Sequence, residues 1–300
     1  MQTSHLSSPI RSMTIRHPLA RPLKLSAVLV VAALSMGFTT LERLGIPSAK
    51  LADAHWKQSG SATFNLNAPY QKFLERYVST DRNGINRVAY GKVTKADKKS
   101  LNAYVASLSN TKVTSGTKKE QLAYWVNLYN AKTLSIVLDK YPVKSIRDIK
   151  FSTFSAGSWG EKLLKVEGRS LSLNDIEHKI VRPLYRDRRV HYVLNCAAIG
   201  CPNLGKKAYS GRTIIGAMDK AARVYVNHPR GASVSAKGKL KVSKIYGWFI
   251  EDFGGKSKSI IAELKKYAKP GLAKKLQNVR DIDDYSYDWA LNDQRSAPGA

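Results

Sequence analysis

The feature that most constrains the fold is an apolar stretch of helical length at residues 117–139. Thr117 and Glu120 have the spacing of a capping box, in which a hydroxyl and a carboxylate bond each other's free backbone N–H groups, so they predict the first turn of a helix. Tyr141-Pro142 predicts its end. Apolar side chains occur on nearly every face of this helix, so no side of it is suited to face water. The rest of the fold must therefore be built around it.

Two amide side chains, Asn127 and Asn130, lie within this predicted helix. They are three residues apart and therefore share one face. A buried amide needs hydrogen-bond partners, and most buried side-chain hydrogen bonds go to backbone groups. The two asparagines either brace a neighbouring loop or line a functional site, and bracing is the commoner of the two roles.

The remaining segments predict shorter elements. Helical spacing of apolar residues and capping signals predict helices at residues 67–78, 95–108, 173–182 (capped by Asn174), 210–226, 260–267 and 272–276. Alternation and turn signals predict strands at residues 88–90, 190–194 and 285–292, and hairpins at 163–171 and 232–242.

No internal repeat and no Pro/Gly/Ser-rich linker interrupts residues 67–292. We therefore predict a single α+β domain over this range, with a helix-rich N-terminal half and a central buried helix packed on a small mixed sheet. Residues 55–66 form a polar N-terminal segment. Residues 293–300 are predicted to be a disordered tail.

The N-terminus has the layout of a secretory signal peptide. Residues 1–24 are polar and basic, an apolar run follows at 25–38, and Ala52-Asp53-Ala54 is a small-x-small cleavage site. The run is too short to span a bilayer, which needs ~20 apolar residues. We predict a signal peptide over 1–54, a periplasmic or secreted protein and no stable transmembrane anchor. An uncleaved N-terminal anchor is the alternative, because the spacer before the cleavage site is long and charged.

The net charge of +28 bears on partners and solubility rather than on the fold. For an exported protein, the available polyanions are the polymers of the cell envelope. Nucleic acid is not expected as a partner, because the sequence has neither an aromatic-and-basic RNA-binding signature nor zinc-finger spacing. An anionic cell-envelope polymer or a peptide substrate is therefore the predicted partner, and a solvated basic surface is the competing interpretation.

Residues 189–204 contain both cysteines of the chain, Cys196 and Cys201. The stretch predicts a buried strand that runs into a tight turn, a place where side chains and backbone N–H groups are exposed on a rigid support. A cysteine becomes a nucleophile when a nearby base or cation stabilises its thiolate. His178 is the better candidate for the base, because strand alternation places His191 on the face opposite Cys196.

Two other interpretations of the same residues remain open. Cys196, Cys201, His178 and His191 are four potential zinc ligands, but their spacing is looser than that of zinc sites, so no metal and no cofactor are predicted. In an oxidising compartment the two cysteines can also form a disulfide, which in so tight a turn would be labile or redox-active rather than structural.

Five blocks of the sequence, in this order, carry a resemblance to a known family. They are Tyr-Trp-Val-Asn-Leu-Tyr-Asn-Ala (124–131), Leu-Asn-Asp-Ile-Glu-His-Lys-Ile-Val-Arg (173–182), Arg-Val-His-Tyr-Val-Leu-Asn-Cys-Ala-Ala-Ile-Gly-Cys-Pro (189–202), Val-Ser-Lys-Ile-Tyr-Gly-Trp-Phe-Ile-Glu-Asp-Phe-Gly (242–254) and Tyr-Asp-Trp-Ala-Leu-Asn (287–292). Over about 67–292 the chain resembles the family called domain of unknown function 547, whose bacterial members resemble exported proteins. The resemblance marks as motif positions Asn127, Asn130, Glu177, His178, Arg182 and Cys196. It implies that the second cysteine and His191 vary, which favours Cys196 with His178.

The resulting functional prediction is a thiol-dependent hydrolase or acyl transferase that acts on an envelope peptide or amide. Cys196 is the predicted nucleophile, His178 the base, and Asn127 and Asn130 the oxyanion contacts. The positions predicted to support them are Glu177, Arg182, His191 and Cys201. The alternatives are a non-catalytic module that binds an anionic polymer, and a thiol redox protein that uses Cys196 and Cys201.

Overall fold

Residues 1–2, 47–151 and 157–296 are described by the structure, which is a computed structural model. The chain divides into two units, Met1–Phe38 and Thr39–Ala300. All but two residues of the first unit, and with them most of the predicted signal peptide, lie outside the described ranges. None of the helices within those ranges is both long and apolar enough to cross a bilayer.

The helices of the second unit are α1 (Ala68–Tyr77), α2 (Lys95–Ser109), α3 (Lys118–Lys140), α4 (Arg182–Tyr185), α5 (Ile214–Val226), α6 (Lys244–Trp248), α7 (Ser257–Tyr267) and α8 (Pro270–Leu276). A π-helix, Asp175–Val181, leads directly into α4. Short 3₁₀ segments lie at Ala54–Lys57, Tyr90–Lys92, Val113–Ser115, Ile146–Asp148, Arg188–Tyr192 and Gln294–Ser296.

The strands are β1 (Val78–Thr80), β2 (Asn86–Val88), β3 (Leu164–Val166), β4 (Arg169–Leu171), β5 (Ala232–Val234), β6 (Leu240–Ser243) and β7 (Asp284–Ser286). β1–β2 and β3–β4 are separate antiparallel pairs, and the second pair turns at Glu167-Gly168, where both residues have positive φ. In the third sheet β6 pairs antiparallel with β5 and parallel with β7, with Val242 opposite both Ala232 and Tyr285. This sheet is therefore mixed, as predicted.

Helix α3 is buried along its length, from Glu120 to Leu138. Its first turn is capped by Thr117, whose hydroxyl accepts the backbone N–H of Glu120 at 3.3 Å. The helix ends at Lys140, just before Tyr141-Pro142. The predicted central helix is thus confirmed at both ends.

The core has two parts. The first surrounds α3 and contains Trp125 and Val126, and the second surrounds the mixed sheet with α7 and α8 and contains Tyr246 and Phe253. The predicted α+β class, the helix-rich N-terminal half and the buried helix are confirmed. One detail differs, because α3 packs mainly against α2, α5 and the π-helix while the mixed sheet lies in the second part of the core. A helix that is apolar all round needs neighbours on every side, and helices supply most of them.

The predicted strand at 190–194 is wrong, since Arg188–Tyr192 is a 3₁₀ helix. The Asp187 carboxylate caps it by accepting the Arg189 backbone N–H at 2.9 Å. The periodicity of a short apolar run does not distinguish a strand from a buried helical turn. The aspartate that precedes the run is a residue type that caps helices, and it was the signal that favoured the helical turn.

The C-terminal prediction is only partly correct. The strand spans Asp284–Ser286 and so covers only two residues of the predicted range 285–292, because the Asp288 carboxylate turns the chain by accepting the Ala290 backbone N–H at 2.8 Å. The predicted disordered tail begins too early. Asp293 is buried, and its carboxylate accepts the Tyr141 hydroxyl at 2.8 Å.

Candidate functional site

A cavity of about 270 Å³ opens where the π-helix, the segment 194–201 and the C-terminal segment 287–289 meet. Both cysteines line it, as do Glu177, His178 and His191. The structure therefore brings together five of the eight predicted site residues, from the two sequence blocks 173–182 and 189–202. Arg182 does not line the cavity itself, but it contacts His178, which does. The two asparagines of α3 do not line the cavity.

Cys196 and Cys201 form a disulfide, with their Cα atoms 6.3 Å apart. Cys196 is partly exposed, whereas Cys201 is buried. The backbone N–H of Cys196 donates to Cys201 Sγ at 3.0 Å. Ala197 has a φ of 63°, a left-handed conformation that re-aims the chain directly after Cys196. This turn is what places both sulfurs on the cavity wall.

Tyr287 lies against both sulfurs. Its hydroxyl oxygen is 3.0 Å from Cys196 Sγ and 3.1 Å from Cys201 Sγ. Burial raises the pKa of Tyr287 well above its usual value, so the hydroxyl keeps its proton at neutral pH. A sulfur in a disulfide has no proton to give, so the tyrosine is the donor here.

The turn that carries the disulfide, residues 195–203, is held in place by the neutral side chains of two asparagines. Asn130 on α3 donates to the Val193 carbonyl at 2.9 Å and accepts the Asn195 backbone N–H at 2.8 Å. The Asn195 side chain then closes the turn by accepting the Ala197 N–H at 2.9 Å and donating to the Pro202 carbonyl at 2.8 Å. These bonds fix the backbone on both sides of Cys196.

Asn127 has the same role at a different loop. Its amide donates to the Tyr209 carbonyl at 2.8 Å and accepts the Tyr209 N–H at 3.0 Å. Both asparagines of α3 are therefore occupied by backbone groups, and the bracing interpretation describes them. The predicted oxyanion contacts are corrected accordingly, because neither amide faces the cavity.

A second anchor of the cysteine turn comes from outside the predicted set. The half-buried Arg230 donates to the Ile199 carbonyl at 2.7 Å and to the Asn203 side chain at 2.5 Å. Tyr225 donates to the Gly200 carbonyl at 2.6 Å. The turn is thus tied to the end of α5 and to the loop between α5 and β5, as well as to α3.

His178 lines the cavity but is unsuited to be a general base. Arg182 Nη1 donates to His178 Nδ1 at 3.0 Å, so the remaining proton of the neutral ring lies on Nε2. Burial, reinforced by the charge of Arg182, lowers the pKa of His178 to about 3. The ring is neutral at physiological pH, and its one free lone pair already accepts from Arg182. The predicted role of His178 as base for Cys196 is therefore not supported by this geometry.

Arg182, His191 and Asp252 form an ion cluster behind the cavity. Arg182 binds Asp252 with two nitrogens, at 2.6 and 3.2 Å, and His191 Nε2 lies 2.7 Å from Asp252 Oδ2. Burial pushes the pKa of Asp252 upward, but the hydrogen bonds from His191 and Arg182 outweigh burial and hold it below its usual value. The guanidinium and the His191 ring both lie against Phe249, at 4.8 and 4.0 Å from its centroid.

Glu177 is the carboxylate that faces the cavity, and it is only 8% exposed. Within the described ranges, His191 Nδ1 at 3.8 Å is the one basic nitrogen within ion-pair distance of it. The Tyr129 hydroxyl donates a hydrogen bond to this carboxylate. Burial raises the pKa of Glu177, and His191, Arg182 and the Tyr129 hydrogen bond only partly oppose that rise. Among the described residues, Glu177 thus has a neutral hydrogen-bond donor and one more distant basic nitrogen as partners.

Another part of the cavity lining is aromatic. The ring centroids of Trp248, Tyr287 and Trp289 lie 4.7 to 5.5 Å apart. Trp159 meets Trp289 edge-on at 5.9 Å, and the Arg147 guanidinium lies 5.1 Å from the Trp289 centroid. We refer to Trp248, Tyr287 and Trp289 as the aromatic wall.

Sequence reasoning missed the aromatic wall, Asn195 and Arg230. The blocks that contain the wall were recognised by resemblance, but no spacing rule links residue 248 to residues 287 and 289. Asn195 carried a usable signal, since an asparagine beside a tight turn often bonds its own backbone two residues later.

The second unit is thus an α+β domain with a disulfide in the wall of an aromatic cavity. A family model described as "Protein of unknown function, DUF547" matches residues 113–226, which agrees with the resemblance found in the sequence. No curated protein and no solved structure matches the chain. The matched segment holds α3, the π-helix and both cysteines, whereas the aromatic wall lies beyond it.

Proposed function

We propose that the chain is a thiol–disulfide exchange protein and that Cys196–Cys201 is its redox group. The observation that carries the proposal is the position of this disulfide in a cavity wall, with the Tyr287 hydroxyl within hydrogen-bond distance of both sulfurs. Exchange needs an accessible sulfur and a stabilised leaving thiolate. Cys196 provides the accessible sulfur, and Cys201, which accepts two hydrogen bonds, provides the leaving thiolate.

The exchange begins at Cys196, which is the more exposed of the two cysteines. An incoming thiolate attacks Cys196 Sγ, a new S–S bond forms, and the bond to Cys201 breaks with its electron pair left on Cys201 Sγ. That sulfur receives hydrogen bonds from the Tyr287 hydroxyl and the Cys196 backbone N–H. Donors of this kind stabilise a thiolate and so make Cys201 the better leaving group.

A second thiolate completes the reaction by attacking the substrate sulfur of the mixed disulfide, which releases Cys196 as a thiolate. Two substrate thiols are thereby oxidised to one disulfide, and the protein is reduced to a dithiol. Run backward, the same steps let the dithiol reduce a substrate disulfide. The co-reactant in either direction is a thiol or a disulfide.

The predicted hydrolase needs conditions that this site lacks. Cys196 would have to be a free thiolate, and a base other than His178 would have to activate it, since His178 has a pKa of about 3 and already accepts from Arg182. Docking on an anionic polymer remains a prediction that rests on the net charge of +28. Its affinity should fall as salt rises.

The test is equilibration of the folded protein with reduced and oxidised dithiothreitol, followed by alkylation and mass measurement. We expect reversible reduction of Cys196–Cys201 without loss of the folded circular-dichroism signal. Tyr287→Phe removes a donor to the leaving thiolate, and hydrogen bonds to charged groups are worth ~1.5–3 kcal/mol, so the reduction should slow by about tenfold or more. Tyr285→Phe, two residues away and outside the cavity lining, is the matched control and should react at the wild-type rate.

A disulfide that becomes reducible only on unfolding would overturn the proposal. The reduced protein should also be assayed for amide hydrolysis beside its Cys196→Ser variant. Activity that is present only in the reduced protein and is lost in Cys196→Ser would restore the hydrolase in its place.

A further inference from the structure

We infer that the thiol taken by this cavity carries an ammonium group, recognised by the Glu177 carboxylate and the aromatic wall. That the ligand is a thiol rests on the proposed exchange function. That it carries an ammonium group rests on the charge and shape of the cavity. The substrate class is then a small aminothiol or the corresponding disulfide.

The first argument is the charge balance around Glu177. Arg182 binds Asp252 through Nε and Nη2. Its Nη1 donates to His178 Nδ1 and to the Pro47 carbonyl, so these four hydrogen bonds commit the guanidinium to groups other than Glu177. The Nε2 atom of His191 is also committed to Asp252, at 2.7 Å. Glu177 therefore presents a buried carboxylate to the cavity with one basic nitrogen, His191 Nδ1, 3.8 Å away. A buried carboxylate in this situation gains from a cation supplied by a ligand.

The second argument is the material of the aromatic wall. Indole and phenol rings attract cations to their faces, and desolvation strengthens the attraction. The three rings of the aromatic wall lie within 5.5 Å of one another and line the same cavity as Glu177. Trp289 already attracts one cation at the rim, because the Arg147 guanidinium lies 5.1 Å from its centroid. Aromatic rings and a carboxylate that line one small cavity together form a site for an organic ammonium group.

The third argument is size. A volume of about 270 Å³ lies below the ~300–1,000 Å³ typical of pockets for drug-sized ligands. The disulfide and Glu177 line this one small space, so a ligand that reaches both has its sulfur and its nitrogen separated by only a few bonds. Cysteamine has this arrangement, and 2-mercaptoethanol is nearly its isostere without the charge.

The binding half is tested without any thiol. Titration of propylammonium into the full-length protein, read by tryptophan fluorescence, should saturate in the wild type and in Cys196→Ser/Cys201→Ser. Glu177→Gln should weaken binding by about tenfold or more. Glu263→Gln is the matched control, since Glu263 is also a buried carboxylate with a pKa raised by burial but does not line the cavity, so its affinity should stay unchanged.

Trp289→Leu is a second variant, for use if Glu177→Gln fails to fold. It removes one ring of the aromatic wall and should also weaken propylammonium binding. Wild-type protein that does not bind propylammonium overturns the inference, whatever the disulfide does.

The thiol half is tested by the rate at which each thiol reduces Cys196–Cys201, corrected for its thiolate fraction. Cysteamine should react about tenfold faster than 2-mercaptoethanol in the wild type, and this ratio should fall to about one in Glu177→Gln. The anionic thiol 3-mercaptopropionate should be the slowest. Equal rates for all three thiols, or a preference for the anionic thiol through Arg147, would overturn the inference while leaving the exchange function intact. No reaction with any thiol would instead defeat the proposed function, and the two failures are therefore distinguishable.

Discussion

The two sides of the cavity are built by different physical means. The cysteine turn, residues 195–203, is held mainly by neutral amide and hydroxyl groups that bond its backbone, from Asn130, Asn195 and Tyr225, and by one cation, Arg230, which stays charged at every physiological pH. The ion cluster of Arg182, His191 and Asp252 is held by charges that satisfy one another. The first arrangement does not depend on pH, whereas the second exists only while Asp252 is ionised.

The two sides therefore support the cavity differently. Hydrogen bonds to the backbone, most of them from neutral side chains, fix the position of the two sulfurs. In the ion cluster the charges of Arg182 and Asp252 balance each other, and Glu177 is the acidic side chain that lines the cavity. Variants that change one side at a time test this distinction.

The largest effect is expected on the neutral side, from Asn130→Ala. The change leaves the Val193 carbonyl and the Asn195 N–H buried without partners, and each lost partner costs ~1–3 kcal/mol. We expect the free energy of unfolding to fall by about 3 kcal/mol, with no dependence on pH between 4 and 8. Urea denaturation at three pH values measures both.

Asn102→Ala is the control for that experiment. Asn102 is exposed and accepts one hydrogen bond, from Ser135 at 2.7 Å, so it should cost well below 1 kcal/mol. A similar cost for the two variants would show that Asn130 does not brace the cysteine turn.

The charged side should respond next, through Asp252→Asn. Removing one partner of a buried ion cluster costs ~3–5 kcal/mol, and because the Asp252 side chain is 20% exposed we expect about 2 kcal/mol. The pKa of Asp252 is held well below its usual value in the folded state, so its contribution is complete above the unfolded pKa of ~3.9, declines as pH falls below that value, and is fully lost only below the folded pKa. Urea denaturation at pH 7 and at pH 3 should therefore show a clearly larger difference between variant and wild type at the higher pH.

Asp284→Asn tests whether any aspartate would give the same result. Asp284 is 60% exposed and lies 3.7 Å from Lys241, so its loss should be barely measurable. If Asp252→Asn behaved like Asp284→Asn, the ion cluster would not support the fold.

The two sides also differ in how far the sequence predicts them. Helix α3 and its asparagines follow from local pattern, because capping, periodicity and burial are encoded within one segment. The pairing of Arg182 with Asp252 joins residues 70 positions apart, and no local rule connects them. Cys196 and His178 were found as motif residues, but their chemistry depends on a disulfide and an arginine contact that only the folded chain reveals.

The smallest effect is expected from His178→Gln, and it should appear only in acid. His178 has a folded pKa of about 3 against an unfolded value of ~6.5, so between these values the unfolded chain binds the extra proton. Stability attributable to this residue is therefore complete above pH 6.5 and declines as pH falls toward 3. The decline at pH 5 corresponds to about 2 kcal/mol at most, since one unit of pKa is worth ~1.4 kcal/mol.

Glutamine has no proton to gain in this range, so His178→Gln should flatten the pH dependence of unfolding between pH 6.5 and 4. At pH 7 the variant should lose only the cost of repacking and of the Arg182 contact, which is about 1 kcal/mol. The measurement is a series of urea denaturations at half-unit steps of pH. His228→Gln is the comparison, because the pKa of His228 is also lowered by burial, but less strongly, and His228 lies outside the cavity. If His178→Gln left the slope unchanged, the wild-type His178 ring would be protonated in the folded protein. The neutral ring with its proton on Nε2 would then be the wrong assignment.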